Sequence, residues 1–274
     1  MTGSTLRMLL ALCAGLALDA AAKAALAQPS PLSQQRAGCD GAMHPDRLEG
    51  LTSEGDLILG SDRKARLAGL RLPDGSPHRD QALAWLKTQI GHPILVQGAD
   101  SRDRWDRISI RIRSSQGVPA LDWAHGLVEA GLALVDAGQD DVFCQPELLA
   151  LETTARERRL GVWADDRYKP LDVNQPERLL ERVGSFVLVE GRVRSIGERK
   201  QRTYLNFGGL WAEDFTIIIP RKTWKQMSDR GLGAEALKGR RIRARGILQP
   251  WQGTAFSVVI PEMIERLEGD PLPR

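Results

Sequence analysis

The sequence predicts a mainly β fold with α-helices (α+β), arranged as two small domains. Three observations carry this expectation. Short apolar runs bounded by turn residues recur along the chain, as in strands rather than long helices. Ile108, Ile110 and Ile112 alternate with Ser109, Arg111 and Arg113, the clearest period-two strand in the sequence. A polar stretch from Asp165 to Pro176 carries two prolines and no periodicity, and so divides the chain. With 42% apolar and 27% charged residues in 274, the composition is that of ordinary globular protein and excludes a fibre.

The first segment reads as a leader. Arg7 precedes an apolar run from Met8 to Leu18, and Ala25-Leu26-Ala27 supplies the small residues of a cleavage site, so residues 1–27 are expected to be a signal peptide. The run is too short to span a bilayer well, which disfavours the alternative of a membrane anchor. Export to the periplasm or outside the cell follows, with residues 28–46 as an N-terminal tail. Export leaves Cys39 and Cys144 in an oxidising compartment, where a disulfide is the natural expectation. Closing so long a loop contributes about 4–5 kcal/mol in the chain-entropy model. The four histidines are isolated, neither cysteine has a CxxC neighbour, and no GxxxxGK[ST] loop occurs, so zinc, haem and P-loop chemistry have no support.

The first domain, residues 47–164, opens with strand-like patterning from Leu48. Leu57-Ile58-Leu59 and Ala65-Arg66-Leu67-Ala68 flank the turn residues Gly60-Ser61-Asp62 and read as a hairpin. Ser76-Pro77 opens a helix through Ala82, Leu83, Leu86 and Ile90, closed by Gly91. A strand at Ile94 to Val96 and the isoleucine strand follow. Two helices come next, Leu121 to Ala130 stopped by Gly131, and Pro146 to Leu160 stopped by Gly161. Residues 165–182 are expected to be a linker. The second domain, residues 183–268, gives strands at Phe186 to Arg194, Arg202 to Phe207, Phe215 to Ile219, Arg241 to Leu248 and Ala255 to Ile260. A helical stretch lies around Thr223 to Leu237. Five strands with a helix between the third and fourth suit an OB-type barrel, a fold used to bind oligonucleotides and oligosaccharides.

Charge is unevenly divided. Asp40 to Gln175 has a net charge of −5, with 17 basic against 22 acidic residues, and Pro176 to Arg274 has +6, with 18 against 12. A polyanion is therefore drawn to the second domain, although a basic solvated face is the ordinary alternative.

The segments Glu54-Gly55-Asp56-Leu57-Ile58, Arg66-Leu67-Ala68-Gly69-Leu70-Arg71-Leu72-Pro73-Asp74 and Asp103-Arg104-Trp105-Asp106-Arg107 resemble the thermonuclease (staphylococcal-nuclease-like) family. Its site combines an Asp-Gly-Asp-Thr strand start, an Arg-Leu-x-Gly-Ile-Asp-x-Pro-Glu segment and a Tyr-Gly-Arg turn. The ending Leu151-Glu152-x-x-Ala155-Arg156 with Leu160-Gly161-Val162-Trp163 is also similar, so the resemblance covers Leu48 to Trp163. It implies a five-stranded OB-type barrel with helices and a calcium-dependent phosphodiesterase site. By it, Asp56 and Glu54 would be metal ligands, Arg66 and Arg107 a phosphate clamp, and Asp74 the general base.

That chemistry needs such residues. Phosphodiester hydrolysis uses a nucleophilic water, a cation beside the phosphoryl oxygens and positive groups where charge develops. Carboxylates hold calcium, and arginines grip phosphate by paired hydrogen bonds. This chain departs from the family at Glu54 for the outer aspartate, Leu57 for threonine, Leu72 for a residue whose carbonyl can ligate, and Asp106 for glycine. Most consequentially, Arg71 stands in the place of a second metal-binding aspartate. A guanidinium beside a dication is repelled, by roughly 4 kcal/mol per unit charge at about 4 Å and an effective dielectric of 20.

In the second domain, Trp251 in the turn-rich Gln249-Pro250-Trp251-Gln252-Gly253 is the aromatic expected to be exposed, whereas Tyr204 and Phe207 lie in strands. Together with Arg241, Arg243 and Arg245 it forms the expected surface for single-stranded DNA or RNA. The stretch Arg202 to Gly208 with Trp211 and Asp214-Phe215 resembles extra domains of secreted thermonuclease-like proteins. Three readings of function follow. They are a working nuclease, a degenerate nuclease that binds nucleic acid, and a non-enzymatic envelope interaction protein.

Overall fold

A computed structural model describes residues 39–115, 120–209 and 214–267. The expected leader, most of the expected tail and Trp211 lie outside the described residues. The protein is 26% helical and 34% strand, an α+β chain built on OB-type barrels.

The first barrel contains β1 (His44–Leu51), β2 (Leu57–Leu59), β3 (Lys64–Leu67), β5 (Pro93–Arg102) and β6 (Ile108–Ser114), with a short β4 (Leu70–Arg71) after β3. It closes in the order β1-β2-β3-β6-β5. The β3–β6 pair is parallel and its neighbours are antiparallel. Ile108, Ile110 and Ile112 point inward and are 3% exposed or less, as their alternation requires. Three helices pack outside: α1 (His78–Lys87), α2 (Trp123–Glu129) and α3 (Leu148–Glu157). Asp122 caps α2, its carboxylate accepting from Ala124 N at 3.0 Å and His125 N at 3.3 Å. The glycines that follow α2 and α3, Gly131 and Gly161, touch. A Cβ on Gly131 would lie 2.2 Å from the Leu160 carbonyl, and one on Gly161 would lie 2.2 Å from the Gly131 carbonyl. Both glycines have positive φ. β7 (Leu134–Val135) then pairs with β4.

The stretch expected to be a linker is ordered instead. It contributes β8 (Leu171–Asp172), which pairs in parallel with β9 (Phe186–Arg192), and α4 (Pro176–Leu180). Likewise β1 begins within the expected tail, and Cys39 is bonded to Cys144 across 105 residues.

The second half contains β10 (Ser195–Glu198), β11 (Arg202–Asn206), β12 (Phe215–Pro220), α5 (Arg221–Asp229) and α6 (Ala234–Leu237). It ends with β13 (Arg241–Ile247), β14 (Gln249–Trp251), β15 (Gly253–Ser257) and β16 (Ile264–Arg266). Its strands form two sheets, β10-β11-β12-β15-β14 and β16-β13-β9-β8. Chain continuity joins them, because β9 bends into β10 at Val193-Arg194 and β13 continues into β14 across Leu248. The circuit β9/β10–β11–β12–β15–β14/β13 is that of the first barrel, with β12 parallel to β15 and the helices between the third and fourth strands. The described second half is thus a split barrel in the OB strand order.

The two halves are joined by buried charge. Arg245 is fully buried; its Nη1 donates to Glu152 Oε2 at 2.8 Å and to the Val135 carbonyl at 2.9 Å, and its Nη2 donates to Glu265. Glu152, also fully buried, accepts from Val135 N at 2.8 Å.

Candidate functional site

The site lies where β2, β3 and the β5–β6 turn meet. Alternation along β3 puts Lys64 and Arg66 on the face opposite buried Ala65 and Leu67. Asp56 ends a tight turn in which Thr52 N donates to its carbonyl at 2.9 Å and its own N–H donates to Thr52 Oγ1 at 3.0 Å. In the β5–β6 turn, Asp103 Oδ1 accepts from Trp105 N at 2.9 Å and Arg107 N at 3.0 Å. Asp106, in the glycine place of the resembled turn, has φ +62°, a conformation aspartate tolerates.

Arg66, Arg107 and Asp56 are brought together, but Arg107 and Asp56 are bonded to each other and all three are tied to neighbouring charged residues. Arg107 donates Nε and Nη2 to Asp103 Oδ2 at 2.9 and 2.8 Å, and Nη1 to Asp56 Oδ1 at 2.8 Å. Lys64 Nζ is 2.8 Å from Asp56 Oδ2. Arg66 donates Nη2 to Asp140 Oδ1 at 2.6 Å and to the Gln139 carbonyl at 3.2 Å, and its Nε is 3.7 Å from Asp103 Oδ2. Three cations face three carboxylates, so the cluster is neutral. Burial raises the Asp56 pKa, but hydrogen bonds and charge from Lys64 and Arg107 outweigh it and hold the carboxyl below its usual range. Asp103 is likewise opposed by burial, yet its bonds from Arg107 bring it down to about 2. Sequence reasoning missed Lys64, Asp103 as a partner, and Asp140. Only the period-two placement of Lys64 beside Arg66 could have pointed to one of them.

The cluster walls a cavity of about 610 Å³ that Glu54, Asp74 and Trp105 also line. A second cavity of about 470 Å³ shares Arg66, Asp103 and Arg107 and is bounded on its far side by the Cys39–Cys144 bridge. Trp105 is 53% exposed, with the Arg104 and Arg107 guanidinium groups 3.9 and 4.7 Å from its ring centroid.

The carboxylates do not fit a calcium ion. Both oxygens of Asp56 are engaged by cations. Glu54 is exposed and accepts from Ser53 Oγ, and the Asp74 side chain is exposed while its carbonyl accepts from the Tyr168 hydroxyl. No group of three or more His, Cys, Asp or Glu among the described residues is placed to hold a metal. Arg71 also lines this cavity but is paired away from Asp56. It donates Nε and Nη2 to Asp136 Oδ2 at 3.0 and 2.9 Å and sits 5.1 Å from the ring centroid of Phe186, the first residue of β9. Burial drives the Asp136 carboxyl pKa upward, and Arg71 opposes that rise.

The expected surface of Arg241, Arg243 and Arg245 is corrected. Arg245 is buried, and Arg243 donates Nε and Nη2 to Glu190 Oε1 at 2.9 and 2.7 Å. Arg241 donates Nη2 to Glu190 Oε2 at 2.9 Å. Alternation along β13 turned these arginines toward the acidic residues of β9, β16 and α3. Trp251 is 47% exposed, as expected, but lies in β14 rather than in a loop.

Fold and site together define a protein of two OB-type units, the first with an arginine–carboxylate cluster on its barrel wall. No protein-family model matches the sequence, and no curated protein matches it. Among solved structures, similarity extends to a protein from Leishmania major Friedlin assigned as an aspartyl-tRNA synthetase (12% identity, 37% of this chain and 21% of that chain, TM-score 0.28). It extends also to the aspartyl tRNA synthetase from Entamoeba histolytica (12%, 40% and 24%, TM-score 0.26). A third is the OBody AM1L10 bound to hen egg-white lysozyme (17%, 32% and 83%, TM-score 0.24). The chain spans about a fifth to a quarter of the length of the two synthetases.

Proposed function

We propose that this chain is an exported, thermonuclease-like protein whose hydrolytic site is closed, and that it binds nucleic acid without cutting it. The observation that carries the reading is the pairing of both Asp56 oxygens with Lys64 and Arg107. A calcium ion would have to displace two cations from its principal ligand, and a phosphate would have to displace Asp103 and Asp140 from the arginines. Arg71, in place of a ligating aspartate, supplies no carboxylate and is held at the junction with the second half. The Cys39–Cys144 disulfide supports residence in an oxidising compartment, periplasmic or extracellular.

A working phosphodiesterase is the second reading, favoured by the presence of Asp56, Arg66 and Arg107 on one cavity wall. The test is incubation of the protein with single-stranded DNA and RNA, with and without calcium. Full recovery of intact strands in both conditions is expected. Calcium-stimulated cutting that disappears in Arg66→Ala would establish the second reading instead.

A further inference from the structure

Arg66 and Arg107 of the first barrel are paired with carboxylates, but one set of cations in the second half is not. Arg199, Lys200 and Arg202 lie on and beside the β10–β11 turn, and Arg221 and Lys222 begin α5; all five are exposed. They are neighbours in space, since Arg202 pairs with Pro220 across β11 and β12, and Arg221 donates N to the Gln201 carbonyl at 3.0 Å and Nη1 to the Lys200 carbonyl at 3.3 Å. None of the five forms an ion pair among the described residues. Glu198, at the end of β10, is the acidic residue adjacent in sequence.

An aromatic platform adjoins this patch. Alternation along β11 places Arg202, Tyr204 and Asn206 on the outward face, opposite buried Thr203 and Leu205. Tyr204 is half-buried and lies across from Gly197 of β10. A Cβ added at Gly197 would meet nothing within 4 Å, so the surface beside the tyrosine on that strand is open. Beyond β11 the same register runs through buried Thr216 and Ala255 before reaching exposed Gln249, so the open part of this face is confined to β10 and β11.

We infer that the outward face of β10 and β11, with Tyr204 as a stacking platform beside Gly197 and Arg199, Lys200, Arg202, Arg221 and Lys222 along its rim, binds single-stranded nucleic acid. This rests on the nucleic-acid reading above and gives it a location away from the thermonuclease-like site. Bases present flat faces to an aromatic ring whatever their sequence, and the phosphates follow the cations. Duplex DNA would offer the charge but not the unstacked base.

The test uses the whole protein and a fluorescein-labelled oligo(dT) 12-mer, followed by anisotropy. Each phosphate neutralised on a single strand contributes about −0.7 to the slope of log affinity against log salt. Five contacts therefore weaken binding roughly 100-fold between 50 and 200 mM salt. Lys200→Ala/Arg202→Ala/Lys222→Ala should flatten the slope by about 2. Tyr204→Ala should weaken binding roughly ten-fold or more while Tyr204→Phe retains it. Gly197→Val, a substitution a strand accepts, should weaken binding by filling the platform. Binding by the wild type that none of these variants alters would overturn the location and leave the nucleic-acid reading standing. No binding of oligo(dT) or oligo(U) by the wild type at 50 mM salt would overturn both. Equal affinity for a 12-base-pair duplex, or preference for phosphatidylglycerol vesicles, would overturn the single-strand assignment.

Discussion

Replacing Arg245 by methionine tests what joins the two halves. The side chain is 0% exposed and reaches three acceptors: Glu152, the Val135 carbonyl and Glu265. Without it, Glu152 keeps the Val135 N–H, and its nearest cation is Arg156 Nη1 at 3.9 Å. Breaking a buried pair by removing one partner costs about 3–5 kcal/mol, mostly for the charge left behind. In a chain of this size each kcal/mol moves the melting temperature by about 2–4 °C, so Arg245→Met should melt roughly 6–20 °C lower. The double variant Arg245→Met/Glu152→Leu removes the stranded charge and should recover at least half of the loss. Arg245→Lys keeps the charge but not the fork that spans three acceptors, and should fall between. Differential scanning calorimetry reads all four proteins. A single variant melting within about 2 °C of wild type would refute the argument, as would a double variant less stable than the single one.

The remaining predictions concern the bridge and the first site. Reduction, or Cys39→Ser/Cys144→Ser, should remove about 4–5 kcal/mol by the loop-entropy argument for a 105-residue separation; an unchanged urea midpoint under reductant would oppose it. The Asp103 carboxyl, with its pKa lowered to about 2, binds protons less readily folded than unfolded. Its stabilisation is therefore fully present above about pH 4 and is lost as pH falls toward 2, by about 1–2 kcal/mol after solvent screening. Asp103→Asn should flatten the acid limb of a stability–pH curve by that amount, and an unchanged limb would count against the assignment. The same variant removes a carboxylate from between Arg66 and Arg107 and should strengthen binding of inorganic phosphate at least several-fold. Isothermal titration with no gain would show that the remaining carboxylates alone keep the arginines closed.

Where local chemistry decides conformation, the sequence was readable. The isoleucine alternation of β6, the glycine stop at 131 and the five principal strands of the second half are all present, with ends displaced by a few residues; α3 instead ends at Glu157, with Arg159 rather than Gly161 taking the left-handed conformation after its cap. The segment from Asp165 to Pro176 misled because its order comes from partners far away in sequence. β8 exists by pairing with β9, and its two residues carry no periodicity of their own. The arginines of β13 misled for a related reason. Spacing reported that Arg241, Arg243 and Arg245 share a face, but not that Glu190, Glu265 and Glu152 lie against it. Charge counted along a chain cannot distinguish a solvated stripe from a neutralised seam.

Arg71 shows how the departure from the resembled family and the second half of the chain are connected. Considered alone, a guanidinium in the place of a metal-binding carboxylate is a loss, since it repels the ion. Its actual partners are Asp136, just after β7, and the ring of Phe186 at the start of β9. The residue that fails to hold a cation thus serves the contact between the halves, through charge and stacking that an aspartate could not provide. Placing aspartate at this position would not create a metal site, because Lys64 and Arg107 would still hold Asp56. It would also set a second carboxylate beside Asp136, whose burial already disfavours its charged form. Arg71→Asp should therefore lose stability without gaining calcium-dependent cutting. A gain of cutting in that variant would mean that the pairs around Asp56 yield to the ion, and that Arg71 alone keeps the site silent.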